Sequence, residues 1–309
     1  MPRLPDNTLD VAIYCYGSEP EARDGKQAGG SGFLLGVRAY MPEPVEAEPL
    51  IPPRPPEPKL FDTALARWFC YAVTCKHVAK KAPVIRLNRY AGGVDIIPLR
   101  SEDWHCHDDY DLAIVAIEPK DPKTLMVPVE ILLTPEESET LDVGIGDDVY
   151  SVGRFINHEG RQTNRPSVRF GNISVMPADP VIVKGIGPQE AYLVETRTIP
   201  GYSGSPVFLE IHPWELQWSG ELRRNLADKG IPAVRLLGVS GGYLYRNEPV
   251  QVRIGGRRFD GWRAESNSGM MWCIPSWKLL ELLNDPKIQA QRAAQRRIWQ
   301  QHQPGGAPA

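Results

Sequence analysis

The chain has 309 residues, 42% of them apolar, enough to fill one large core or two small ones. Its 35 basic and 38 acidic side chains leave a net charge of −3, which gives no electrostatic reason for nucleic acid or an anionic membrane as partner. No window reaches the roughly 18 apolar residues of a membrane helix, and the start MPRLPDNTLDVAIYCYG lacks the apolar segment of a secretion signal. With five scattered cysteines, an odd number, the expectation is a soluble cytoplasmic protein with reduced thiols.

Short apolar runs rich in Val, Ile, Tyr and Phe recur along the chain, separated by Gly, Pro, Asp and Asn, as strands are. VAIYCY (11–16) and GFLLGV (32–37) come first. Eight prolines then stand between residues 42 and 58. Such density cannot pair in a sheet and favours extended polyproline II, so residues 41–59 are predicted to be an exposed insertion. A spacer explains it more simply than a ligand for a proline-reading domain, which PPRPPEP would also suit.

WFCYAVT (68–74), PVIRLN (83–88) and DLAIVAI (111–117) follow, then DDVYSVG (147–153), SVRFGNISVM (167–176), AYLVET (191–196), SPVFLEI (205–211), RLLGVSGG (235–242) and MMWCIP (270–275). Helical periodicity between them is scarce, which disfavours parallel βαβ winding and predicts an all-β antiparallel barrel or sandwich. PSWKLLELLND (275–285) reads as a helix with Leu279, Leu280, Leu282 and Leu283 on roughly one face and Pro286 ending it. Residues 286–309 continue with helix-forming residues, carry four basic and no acidic side chains, end in PGGAPA, and read as a basic, flexible, partly helical tail with a solvated charged face.

One turn, TIPGYSGSPVFLE (198–210), sets Ser203 between glycines. A serine hydroxyl is a poor nucleophile at neutral pH without an imidazole to take its proton and a carboxylate to fix the imidazole tautomer. Of six histidines, His77 closes the apolar run YAVTCKH, where a rigid strand end projects it into a cleft. His105 and His107 sit in a polar acidic loop, His158 in a Gly-flanked turn, His212 before a proline and His302 in the tail. Asp111 stands directly before the run Leu112 to Ile117, where burial and a bond to imidazole are both attainable; Asp108 and Asp109 read as solvated loop charges.

TCKHV, YDLAIV and PGYSGSPV resemble the His, Asp and Ser boxes of the chymotrypsin-fold (trypsin-like) serine proteases, near T-A-x-H, D-[LI]-A-[LIV] and G-x-S-G-[GS]-P, and in the same order. GGSGFLLG (29–36) resembles the strand one hairpin before the His box, LLGVSGG (236–242) the strand that pairs with substrate, and MMWCIPSWKLLELL the closing strand and helix. The similarity covers roughly residues 9–285 and is nearer to the bacterial high-temperature-requirement type than to digestive enzymes. There is no I-V-G-G start, no cysteine after the histidine and no recognisable PDZ domain.

The resemblance implies two perpendicular six-stranded antiparallel β-barrels, residues 9–118 and 129–274, a closing helix 275–285, and a cleft between the barrels. It implies a serine endopeptidase acting on polypeptide through an acyl-enzyme, with Ser203 as nucleophile, His77 as base then acid, and Asp111 orienting it. The N–H groups of Gly201 and Ser203 would form the oxyanion hole, and Ser240, Gly241 and Gly242 would line the wall where an extended peptide adds as a strand. Arg197, six residues before Ser203, would lie near the floor of the primary pocket and favour acidic side chains if it points inward. No cofactor and no metal are expected, and there is room for a regulatory protein partner.

Two departures stand out: Ser205 replaces the second glycine after the serine, and residues 211–233 form a longer connection than compact members use. A G-x-S-x-G hydrolase fits poorly, because the fifth residue is Ser205 and those enzymes place Asp and His after the serine. The stronger rival is a catalytically silent trypsin-like fold serving as a peptide-binding or adaptor module, although such scaffolds usually lose a triad member and all three are present here. HCH at 105–107 suits a polar loop better than a metal, since adjacent ligands rarely reach one ion together, and Cys75 reads as a small buried residue.

Overall fold

The structure, a computed structural model, describes residues 4, 6–39, 68–156, 158, 160–197, 200–211, 233–254 and 257–301. The Pro-rich insertion (41–59), nearly all of the 211–233 connection and residues 302–309 lie outside the described residues.

The first half is one curled antiparallel sheet. Its strands are β1 (Ala12–Tyr16), β2 (Gly30–Arg38), β3 (Trp68–Thr74), β4 (Val84–Asn88), β5 (Val94–Ile97), β6 (His105–Cys106) and β7 (Ala113–Ala116), in spatial order β5-β4-β1-β2-β3-β7-β6, with β8 (Met126–Pro128) parallel to β2. β2 is buried along almost its whole length, which is why GSGFLLGVR reads as continuous rather than alternating apolar sequence. Among the described residues this half is an eight-stranded curled sheet whose strand path does not close, where the resemblance implied a six-stranded barrel. Its end strands β5 and β6 have four and two residues, too little ladder to meet and close.

The second half does close. β9 (Asp148–Arg154), β10 (Pro166–Val175), β13 (Tyr192–Thr196), β14 (Pro206–Ile211), β15 (Ala233–Ile254) and β16 (Arg257–Pro275) form a barrel in the order β10-β13-β16-β15-β14-β9. A side hairpin pairs β11 (Val181–Val183) with β12 (Gly187–Gln189). β15 and β16 extend past the barrel as a long two-stranded arm, pairing as far as Ile254 with Arg257. One apolar cluster runs through both halves, joining Phe33 and Tyr71 of the first to Val152, Phe208 and Trp272 of the second. Leu133 N–H donates to Leu236 O at 3.1 Å, tying the segment that links the halves to β15.

Among the described residues five short or medium helices decorate the sheets: α1 (Glu19–Asp24), α2 (Lys76–Lys81), α3 (Pro135–Thr140), α4 (Trp277–Leu283) and α5 (Pro286–Gln301). α4 is the predicted closing helix and buries Leu279, Leu282 and Leu283. Residues 286–301, expected to be a mobile, partly helical tail, form α5, which docks on the first sheet. Trp299 stacks on Phe69 with ring centroids 4.9 Å apart, and the buried Arg292 caps α4 by donating to Leu283 O at 2.9 Å. All five cysteines are free thiols, and among the described residues no helix is long and apolar enough to cross a membrane.

Candidate active site

β3 ends at Thr74 and α2 starts at Lys76, so His77 sits on the first turn of a helix launched from a rigid strand. Asp111 precedes β7 on the neighbouring strand and is 3% exposed. The two meet twice: His77 N–H donates to Asp111 Oδ1 at 2.8 Å, and Nδ1 lies 2.6 Å from Oδ2. A carboxylate facing Nδ1 selects the tautomer with its proton there, leaving the Nε2 lone pair as the basic site. Asp111 is itself placed from both sides, since its carbonyl accepts from Lys76 N–H at 3.2 Å and its N–H donates to Gln189 Oε1 at 2.9 Å. Gln189 is a positioning residue that sequence reading missed; it lies in β12, far along the chain, and no local pattern marks it.

The Ser203 turn is pinned between the halves. Ser31 of β2 donates its N–H to Ser203 O at 2.9 Å and its hydroxyl to Gly201 O at 2.8 Å. On the other side Gly204 N–H donates to Ser240 O at 2.7 Å, and Ser240 N–H to Ser205 O at 2.9 Å. Gly204 has φ +88°, and a Cβ there would stand 2.1 Å from Ser31 O, so only glycine fits. Tyr202 is fully buried and donates its hydroxyl to Ser167 O at 2.9 Å, anchoring the turn to β10. Ser205 is also fully buried, and its hydroxyl occupies the space above Gly153.

Among the described residues neither Gly201 N–H nor Ser203 N–H has a protein acceptor. The Ser203 hydroxyl donates to Gly241 O at 3.2 Å and not to His77. β14 pairs with β15 only up to Pro206 opposite Val239, while β16 stays paired through Gly242 opposite Trp272. The other edge of β15 at Gly241–Gly242 therefore carries no strand among the described residues. Behind it the Trp272 indole presses on Gly241, where a Cβ would meet the ring at 2.3 Å. A glycine opposite a buried Trp was the signal for this contact, but only the fold shows that they meet.

Arg197 follows β13 and is exposed. His105 and His107 turn away from the site, His105 Nε2 to Asp285 Oδ2 and His107 Nε2 to Glu281 Oε2, each at 3.3 Å. They brace the closing end of the chain, as a polar loop would.

Residues 62–212, which hold His77, Asp111 and Ser203, match the family of the trypsin-like peptidase domain. Over those residues this chain is similar to the trypsin-like peptidase domain. Among solved structures it is similar to the apo MamO protease domain from Magnetospirillum magneticum, at 14% identity over 91% of this chain and 100% of that one, TM-score 0.48. It is also similar to the HtrA-type protease AlgW with tripeptide, at 13% identity over 91% of this chain and 64% of that one, TM-score 0.43. No curated protein matches the chain. Within the matched stretch the His and Asp boxes form one contact, and from it the Ser203 hydroxyl reaches Gly241 O of β15, the strand expected to pair with substrate.

Proposed function

We propose that this chain is a serine endopeptidase that cleaves polypeptides through Ser203, His77 and Asp111. The observation that carries this reading is the two-point hold of Asp111 on His77 beside a serine turn whose Gly201 and Ser203 N–H groups are unengaged. An extended peptide adds along the open edge of β15 at Gly241–Gly242, bringing its carbonyl carbon to Ser203. The hydroxyl leaves Gly241 O, His77 Nε2 takes its proton, and Oγ forms a bond to the carbonyl carbon. The resulting oxyanion is stabilised by the two N–H groups, a contribution of about 2.7–4 kcal/mol per donor in such sites. His77 then passes its proton to the leaving amine, the C–N bond breaks, and water repeats the steps to release the acyl group. Asp111 stabilises the imidazolium in both halves without taking a proton itself.

A second reading, a silent peptide-binding module, draws on one observation: the Ser203 hydroxyl rests on Gly241 O rather than on His77. Incubation of a denatured fluorescent polypeptide with the wild type, Ser203→Ala and His77→Ala separates the two. The protease releases fragments only in the wild type. A module binds the polypeptide equally in all three and releases none.

A further inference from the structure

Cys75, two residues before His77, turns its thiol into the site. Cys75 Sγ, a His77 ring nitrogen and an Asp111 carboxylate oxygen lie within 4.8 Å of one another. Cys75 is fully buried, and the thiol donates to Ser240 O at 3.2 Å. Ser240 is fully buried too, and its hydroxyl has no hydrogen-bond partner. A thiol, an imidazole and a carboxylate thus surround one small volume, beside a serine whose hydroxyl is unspent.

We propose that this cluster is an inhibitory site for a thiophilic divalent cation of the Zn²⁺ class, held by Cys75 Sγ, His77 Nδ1 and an Asp111 carboxylate oxygen. The proposal rests on the protease reading only for its consequence, not for the binding. Zinc takes these three donor types at about 2.0–2.3 Å, which sets neighbouring ligands roughly 3.3–3.6 Å apart. The His77–Asp111 contact of 2.6 Å widens by less than about 1 Å to admit it. Mg²⁺ and Ca²⁺ require mostly oxygen ligands and are excluded by the thiol and imidazole. Two anionic ligands balance the charge of the ion, so the burial penalty of an isolated cation is avoided.

Binding replaces the thiol proton, which is released to solvent, with the metal. The proton on His77 Nδ1 moves to Nε2, and the imidazole stays neutral. Nε2 is the atom that must accept the Ser203 proton; once it carries a proton of its own, Ser203 has no base and hydrolysis stops.

The test uses the folded full chain with Co²⁺ as an optical stand-in for Zn²⁺. The wild type gives a thiolate-to-cobalt absorption band that saturates at one ion per chain and is displaced by Zn²⁺; Cys75→Ala and His77→Ala lose it, and His107→Ala keeps it. Cys75→Ser serves in place of the alanine variant if that one does not fold. This readout needs no catalysis, so it stands even where no substrate is cut. Where peptide is hydrolysed, Zn²⁺ inhibits, a chelator reverses it and Mg²⁺ does nothing. Removing Cys75 raises the Zn²⁺ concentration for half-inhibition, relative to each protein's own metal-free rate, by at least about 10–100-fold, the loss that even outer-shell partners cause. No cobalt–thiolate band, a band unchanged in Cys75→Ala or His77→Ala, or equal Zn²⁺ inhibition of wild type and Cys75 variants would overturn the proposal.

Discussion

Asp111 receives both the backbone N–H and the imidazole of His77, at 2.8 Å on Oδ1 and 2.6 Å on Oδ2. Both partners are donors, and a carboxylate accepts both. An amide at this position offers one acceptor, so Asp111→Asn sets its NH₂ against one of the two donors or forces the imidazole into the other tautomer. The expected result is a loss of about 10⁴-fold in kcat with the fold intact, read from peptide hydrolysis beside circular dichroism. A variant with near-native kcat would mean that Asp111 does not orient the base.

The Tyr202 hydroxyl ties the residue between Gly201 and Ser203 to β10 through Ser167, and the Arg169 guanidinium lies 5.7 Å from the centre of its ring. Tyr202→Phe keeps the packing and removes the tie. The expected cost is about 1 kcal/mol of stability in denaturant unfolding. Because the Gly201 and Ser203 N–H groups proposed to hold the oxyanion flank this residue, kcat is expected to fall while KM holds. Loss of stability with unchanged kcat would make the tie structural alone.

Gly204 and Gly92 have nearly the same φ, +88° and +86°. A Cβ at Gly204 meets Ser31 O at 2.1 Å and Thr74 Oγ1 at 2.2 Å, whereas at Gly92 nothing lies within 4 Å. Gly92→Ala is therefore expected to cost about 1–2 kcal/mol, the left-handed strain alone. Gly204→Ala adds the clash and is expected to exceed about 3 kcal/mol or to prevent folding, as expression and urea unfolding would show.

Burial pushes the thiols of Cys15 and Cys70 from 9.0 up to about 12. The unfolded chain thus loses these protons before the folded one does. Stability from the neutral thiols is complete below pH 9.0 and declines as pH rises towards about 12. Urea unfolding from pH 7 to 11 is expected to show the fall, with a shallower slope in Cys15→Ala. The fully buried Cys15 thiol also resists alkylation at pH 8 until urea is added.

The parts of the site legible in the sequence were those carried by short local patterns. Each box names its residue within a few positions, and the strand ends that present His77 and Asp111 follow from apolar runs. Contacts across the fold were not legible: Gln189 on Asp111, Ser31 on the serine turn and Trp272 behind Gly241 depend on which strands become neighbours. The reading of Cys75 as a small buried residue agrees with its burial, yet gave no hint that its thiol joins His77 and Asp111. Closure of the first sheet rested on the resemblance alone, because apolar runs announce strands and say little about short edges such as β6. The docking of α5 was missed because its inward face includes Arg292, a charge that interrupts the apolar stripe between Ile288 and Trp299.

The central claim, that Ser203 is a nucleophile served by His77, is tested most directly by a fluorophosphonate probe followed by peptide mapping. The account predicts one labelled residue, Ser203, in the wild type, no label in Ser203→Ala and greatly slowed labelling in His77→Ala. A folded wild type that binds extended peptide yet takes no label, or label that persists in Ser203→Ala, would contradict it.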